Sequence, residues 1–252
     1  PDFAEAFYNL GSVFHEKRDI EQAVINYQSA LKFDLKMSKA YNNLGLIFKE
    51  QGCLDLAEKY FENAIKYDPN YSEAFNNLGT VLHSKSNNLD ALKNYRKALK
   101  IRPKFAQALF NVGNLFKAQG NFSDAKKNYL RALEIKPSYL DAYINLAEVL
   151  QDNKEPEEAV NTYNKLLTLE PNHIKGKQNL CELLKSYSPI KSDINPICQL
   201  DSHIKKTNGL FSSVCSDAKL SKEIIKTIKK INEFDANLTT GSSQIFWRNE
   251  VD

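Results

Sequence analysis

The chain has 252 residues, and its 34 Lys+Arg against 31 Asp+Glu leave a net charge of +3, too small to imply a nucleic-acid partner. With 42% hydrophobic and 26% charged residues it has the composition of a globular protein with a sizeable core. No apolar run approaches the roughly 20 residues needed to cross a bilayer, and four scattered cysteines suit a reducing compartment, so a cytoplasmic protein is expected.

Taken in chain order, the sequence returns to itself every 34 residues, giving repeats over 4–37, 38–71, 72–105, 106–139 and 140–173. The first carries Phe7, Leu10, Gly11 and Phe14, then Ala23, Tyr27 and Ala30. Spacings of three and four put each set on one helix face, so the repeat reads as two amphipathic helices. The second repeats the pattern with Tyr41, Leu44, Gly45 and Phe48, breaks at Gln51-Gly52, resumes with Ala57, Phe61 and Ala64, and stops at Pro69. The third places Phe75, Leu78, Gly79 and Leu82 before Ala91, Tyr95, Ala98 and Pro103. The fourth places Leu109, Val112, Gly113 and Phe116 before Ala125, Tyr129, Ala132 and Pro137.

The fifth departs slightly, with Ala147 where the others have glycine and Leu166 where they have alanine, a pair of changes expected to open the stack a little. A sixth starts at Ile174 and is cut off by Tyr187-Ser188-Pro189, so residues 174–186 read as a capping helix. Residues 188–252 follow no repeat and read as a helical tail or the start of a further domain. Within them, Pro196 to Lys206 and a stretch capped by Asp217 with Leu220, Ile224, Ile225, Ile228 and Ile231 are expected to be helical. Trp247 lies in an apolar, β-prone stretch after them.

On these positions the chain resembles the tetratricopeptide repeat family over residues 4–187. The resemblance implies an all-α solenoid, a right-handed superhelix of helix-turn-helix repeats spanning residues 1–187, with the helical tail after it. It also implies that the first helix of each repeat lines a concave groove, with positions 2, 5, 6, 9, 12 and 13 facing inward.

Position 6 is asparagine in all six first helices: Asn9, Asn43, Asn77, Asn111, Asn145 and Asn179. Asparagine is a poor helix former, so its recurrence asks for a reason. An amide offers both a donor and an acceptor and can bracket the backbone of an extended peptide whatever its side chains. The row resembles the asparagine ladder of the O-linked N-acetylglucosamine transferase superhelix. The alternative is architectural, each asparagine bonding across to a neighbouring repeat.

Position 5 varies through Tyr8, Asn42, Asn76, Phe110, Ile144 and Gln178, so Asn42 and Asn76 are candidates for tuning selectivity. Lys49, His83 and Lys117 at position 12 complete the expected peptide-binding set. Neither asparagine of the Asn42-Asn43 pair is expected to face the helix core. No position 5 is lysine and no position 6 is arginine, so the carboxylate clamp of the chaperone-binding subset is not expected.

No catalytic or nucleotide-binding motif is present, and no cofactor is implied. Cys181, Cys198, His203 and Cys215 lack the close pair usual in zinc sites. The reading that results is a non-catalytic scaffold that binds an extended polypeptide of a protein or peptide partner. A substrate-recruiting arm of a larger enzyme such as a glycosyltransferase is the first alternative, and a self-assembling homo-oligomer is the second.

Overall fold

Each apolar stripe of the repeats lies on an α-helix in the structure, a computed structural model that describes residues 2–187. The first helices of successive repeats are α1 (Asp2–Glu16), α3 (Ser38–Glu50), α5 (Ser72–Ser84), α7 (Ala106–Ala118) and α9 (Leu140–Asp152). The second helices are α2 (Ile20–Phe33), α4 (Leu54–Tyr67), α6 (Asn88–Ile101), α8 (Phe122–Ile135) and α10 (Pro156–Leu169). Helix α11 (Ile174–Tyr187) opens the sixth repeat. Among the described residues the fold is an all-α tetratricopeptide solenoid, and the expected helices at Pro196 and Asp217 lie outside the described residues, as does Trp247.

One local device separates the two helices of every repeat. Position 15 has left-handed backbone in all five: Arg18 (φ 61°), Gly52 (77°), Ser86 (62°), Gly120 (72°) and Lys154 (60°). The residue after it then turns its N–H back onto the first helix, as Cys53 N does to the Phe48 carbonyl at 2.8 Å and Asn87 N to that of Leu82 at 2.8 Å. The second helices are often capped at once, with Asp19, Asn87 and Asn121 accepting from the backbone N–H three residues on. They end in extended backbone, at Asp34 and Asp68 for example, from which the next repeat departs.

The chain divides into two compact units, residues 1–142 and 143–252. In the first, α1–α2, α3–α4, α5–α6 and α7–α8 pack as hairpins, and α2, α4 and α6 each also pack on the following first helix. The hairpins close on a glycine. A Cβ at Gly79 would sit 2.6 Å from the Tyr95 ring, and one at Gly45 2.7 Å from the Phe61 ring, so only a bare Cα lets the aromatic lie flat on the helix. Tyr27, Phe61, Tyr95 and Tyr129 are fully buried there, each burial stabilising by about 1.5–3 kcal/mol.

The first helices bury more than the expected face. Position 3 (Ala40, Ala74, Ala108) and position 10 (Ile47, Val81, Leu115) are as buried as positions 7 and 8. Helices α3, α5 and α7 are each sandwiched between their own partner and the second helix before them, so two sides are covered instead of one.

In the second unit, the described part of which ends at Tyr187, Leu146, Val149, Leu150, Ala159, Tyr163, Leu166, Leu180, Leu183 and Leu184 form the core. Leu166 does not open the packing of α10 on α11. It faces Gly176, where a Cβ would stand 2.6 Å from its Cδ2, so the larger side chain is matched by a missing one.

Candidate functional site

In the first unit the first helices lie side by side, α3 touching α5 and α5 touching α7. The asparagines form the seam between them. Asn77 donates its side-chain N–H to Asn42 Oδ1 at 2.9 Å, and Asn111 donates to Asn76 Oδ1 at 2.9 Å. Asn43 makes the same step toward the preceding repeat, donating to Tyr27 Oη at 3.0 Å and reaching Tyr8 Oη at 3.4 Å. The rule is that position 6 of one repeat donates to position 5 of the repeat before it, with residues 35 apart in sequence.

For Asn42 this corrects the expectation that neither asparagine of the Asn42-Asn43 pair faces the helix core; Asn43 is half-buried. Asn42 and Asn76 are only 4% exposed, and Asn111 is buried as well. A buried amide carbonyl without a donor would cost about 1–3 kcal/mol, and the neighbouring repeat supplies that donor. The architectural role is therefore real for Asn43, Asn77 and Asn111.

The bridges do not use up the amides. Among the described residues, Asn77 Oδ1 and Asn42 Nδ2 take part in no other hydrogen bond, and the Asn76 amide nitrogen likewise stays open. The Asn77–Asn42 bridge thus leaves one acceptor and one donor unused, the same pair that a backbone peptide unit presents. Asn111 Oδ1 is engaged more weakly, by Gln107 Nε2 at 3.4 Å. Asn9 is exposed.

Position 12 gives a mixed picture. Lys49 and Lys117 are half-buried, and His83 Nδ1 lies 2.8 Å from Asn88 Oδ1, so its ring is oriented within its own repeat. In the second unit Asn145 is half-buried, and Asn179 donates to Glu148 Oε1 at 3.3 Å and also bonds the Tyr163 hydroxyl. Burial pushes that hydroxyl up to about 12.

Several residues beside the seam were not read from the sequence. Tyr139 packs on Phe110 with ring centroids 4.8 Å apart and donates its hydroxyl to Gln107 Oε1 at 2.8 Å. Burial pushes the hydroxyls of Tyr71 and Tyr139 up to about 12. Arg102 lies 3.6 Å over the Phe105 ring and donates to Glu73 Oε1 at 2.7 Å. Burial works against the Glu73 carboxylate, but the bonds from the Ser72 hydroxyl and Arg102 outweigh it and hold its pKa below the usual value. A signal was available: Met37, Tyr71, Phe105 and Tyr139 share position 34 and are all large and apolar.

Among the described residues no three His, Cys, Asp or Glu side chains come together as metal ligands, and no helix is long and apolar enough to cross a membrane. Cys181 is buried; Cys198, His203 and Cys215 lie outside the described residues.

Family models described as Tetratricopeptide repeat match residues 4–36, 38–71, 60–93 and 140–173, and one described as TPR repeat matches 81–120 and 113–154. No curated protein matches the chain. Among solved structures, PilF of Pseudomonas aeruginosa has a TM-score of 0.71 at 17% identity, over 94% of this chain and 98% of that one. MamA has a TM-score of 0.57 at 21% identity, over 69% and 95%. YrrB, described as a TPR protein with an unusual peptide-binding site, has a TM-score of 0.55 at 22% identity, over 69% and 89%. At these identities the likenesses show the fold.

Proposed function

Because the chain belongs to the tetratricopeptide repeat family, we propose that it is a non-catalytic interaction scaffold that holds an extended polypeptide along its first helices. The observation that carries this reading is the pair of amide bridges, Asn77–Asn42 and Asn111–Asn76, with their remaining donors and acceptors. An extended backbone offers matching groups at regular intervals and can bond there whatever its side chains are. Each bond contributes only about 0.5–1.5 kcal/mol net, so binding needs several rungs at once. Asn9 and Asn43 extend the row, Lys49, His83 and Lys117 border it, and Tyr8 and Phe110 supply apolar contact; in the second unit, Asn145 and Asn179 are proposed for the same use. A peptide-binding site described for YrrB, a relative in fold, is in keeping with this use. The partner is a protein in the cytoplasm; the net charge of +3 does not favour nucleic acid.

The test captures partners on the immobilised chain and measures their affinity for variants at residues outside the bridges. Asn9→Ala and Lys49→Ala should each weaken binding while leaving the melting temperature within about a degree, since Asn9 is exposed and Lys49 takes no part in the amide bridges among the described residues. Unchanged affinity in both would sink the proposed surface.

A further inference from the structure

Helix α1 has an unfinished side. Position 7 is buried in the other first helices of the unit, where Leu44, Leu78 and Val112 are at most 7% exposed, yet Leu10 is 44% exposed. Position 10 behaves the same way: Ile47, Val81 and Leu115 are at most 1% exposed, against 44% for Val13. Ala6, at position 3, is exposed, whereas Ala40, Ala74 and Ala108 are fully buried. The residue types are those of an interface, including the small alanine that admits a close backbone. A polar outer face, expected of a terminal cap, is missing.

The other repeats show what covers these positions. Ala40, Leu44 and Ile47 cluster with Tyr27, Ala30 and Leu31 of the preceding second helix, and Leu78 and Val81 cluster with Phe61. Val112 and Leu115 cluster with Tyr95 in the same way. The complement of this face is thus a second helix with an aromatic, then alanine and a branched apolar residue three and four positions later.

The first three residues point the same way by a separate route. Pro1-Asp2-Phe3 occupies positions 32 to 34 of the repeat phase, matching Pro69-Asn70-Tyr71, Pro103-Lys104-Phe105 and Pro137-Ser138-Tyr139. Where a second helix precedes, the position 34 residue is a non-helical N-cap, as at Met37, Tyr71 and Phe105. Phe3 instead lies within α1, 69% exposed, stacked on the exposed Phe33 with centroids 5.8 Å apart.

We infer that the Ala6–Leu10–Val13 face of α1 is a repeat-to-repeat interface. Its occupant is the second helix of a further tetratricopeptide repeat in the same polypeptide, of which Pro1-Asp2-Phe3 are the last residues. This goes beyond the groove reading and does not depend on it.

The test labels single cysteines with a maleimide in the full-length protein of the source cell, with Cys53, Cys198 and Cys215 replaced by serine. Val13→Cys reports the face, and Ile25→Cys, 47% exposed on the outer side of α2, is the control. In the 1–252 chain both thiols should react at similar rates. In the full-length protein the Val13→Cys thiol should react roughly tenfold or more slowly than the control, at every protein concentration. A photo-cross-linker placed at residue 13 should join to a residue on the N-terminal side of Pro1 in the same polypeptide. Equal labelling in the full-length protein overturns the inference. So does protection that fades on dilution, which would mean a second copy, and so does a cross-link to residues 188–252 or to another protein.

Discussion

The side-chain nitrogen of Asn77 donates to Asn42 Oδ1 at 2.9 Å, joining two helices that are one repeat apart in sequence and adjacent in space. The consequence for stability differs from what surface asparagines would give. Asn77→Ala leaves a buried carbonyl at Asn42 without a donor and should cost about 1–3 kcal/mol. Asn42→Ala should cost a similar amount, and the double variant less than the sum, with a coupling of roughly 1 kcal/mol from a double-mutant cycle. Additive single effects would show that the bridge contributes nothing. Combined Asn77→Ala and Asn111→Ala should lower the melting temperature, since both bridges are lost.

Gly79→Ala weighs two opposing terms. Alanine is favoured over glycine inside a helix by about 1 kcal/mol, but its Cβ would stand 2.6 Å from the ring of Tyr95, which is buried and has no room to swing. Overpacking of this kind costs about 1–3 kcal/mol. A net loss of stability is expected in chemical denaturation, and a raised midpoint would contradict the packing described.

Ser86→Gly should act the other way. Ser86 holds a φ of 62°, a conformation that costs a side chain about 1–2 kcal/mol and costs glycine little. After allowing for the extra freedom glycine adds to the unfolded chain, a gain of about 0.5–1 kcal/mol is expected. Gly52→Ala, at a φ of 77°, should lose a similar amount although open space surrounds it. Equal midpoints for both variants would contradict the turn geometry.

The Arg102–Glu73 pair predicts an acid response. The folded pKa of Glu73 lies below its unfolded value of 4.5, so the folded state binds the proton less readily. Its stabilisation is therefore complete above about pH 4.5 and is lost as pH falls through the lower folded value. Both side chains are partly exposed, which limits the effect to about 1 kcal/mol or less. Glu73→Gln should melt below the natural chain at pH 7, and the difference should shrink as the pH falls through the lowered folded value; a constant offset would argue against the pair.

Much of this architecture was legible because a repeat states its rules several times. Gly45, Gly79 and Gly113 recur at one position and an aromatic recurs at another, and the structure shows the aromatic ring seated on the glycine. Positions 3 and 10 were not read as core. Their cover comes from the preceding repeat, and the periodicity of a single helix records which residues are apolar without recording how many neighbours it has. Leu166 was read as a disturbance for the same reason, since its match, Gly176, lies on another helix.

The asparagines mark the division most clearly. Their recurrence at position 6, the helical period and the left-handed turn at Gly52 and Gly120 follow from residue type and spacing, which act within one repeat. That Asn77 donates to Asn42 and Asn111 to Asn76 is decided only when neighbouring repeats meet. A hydrogen bond depends on which atoms come within about 3 Å of each other, and no pattern along one helix states that distance.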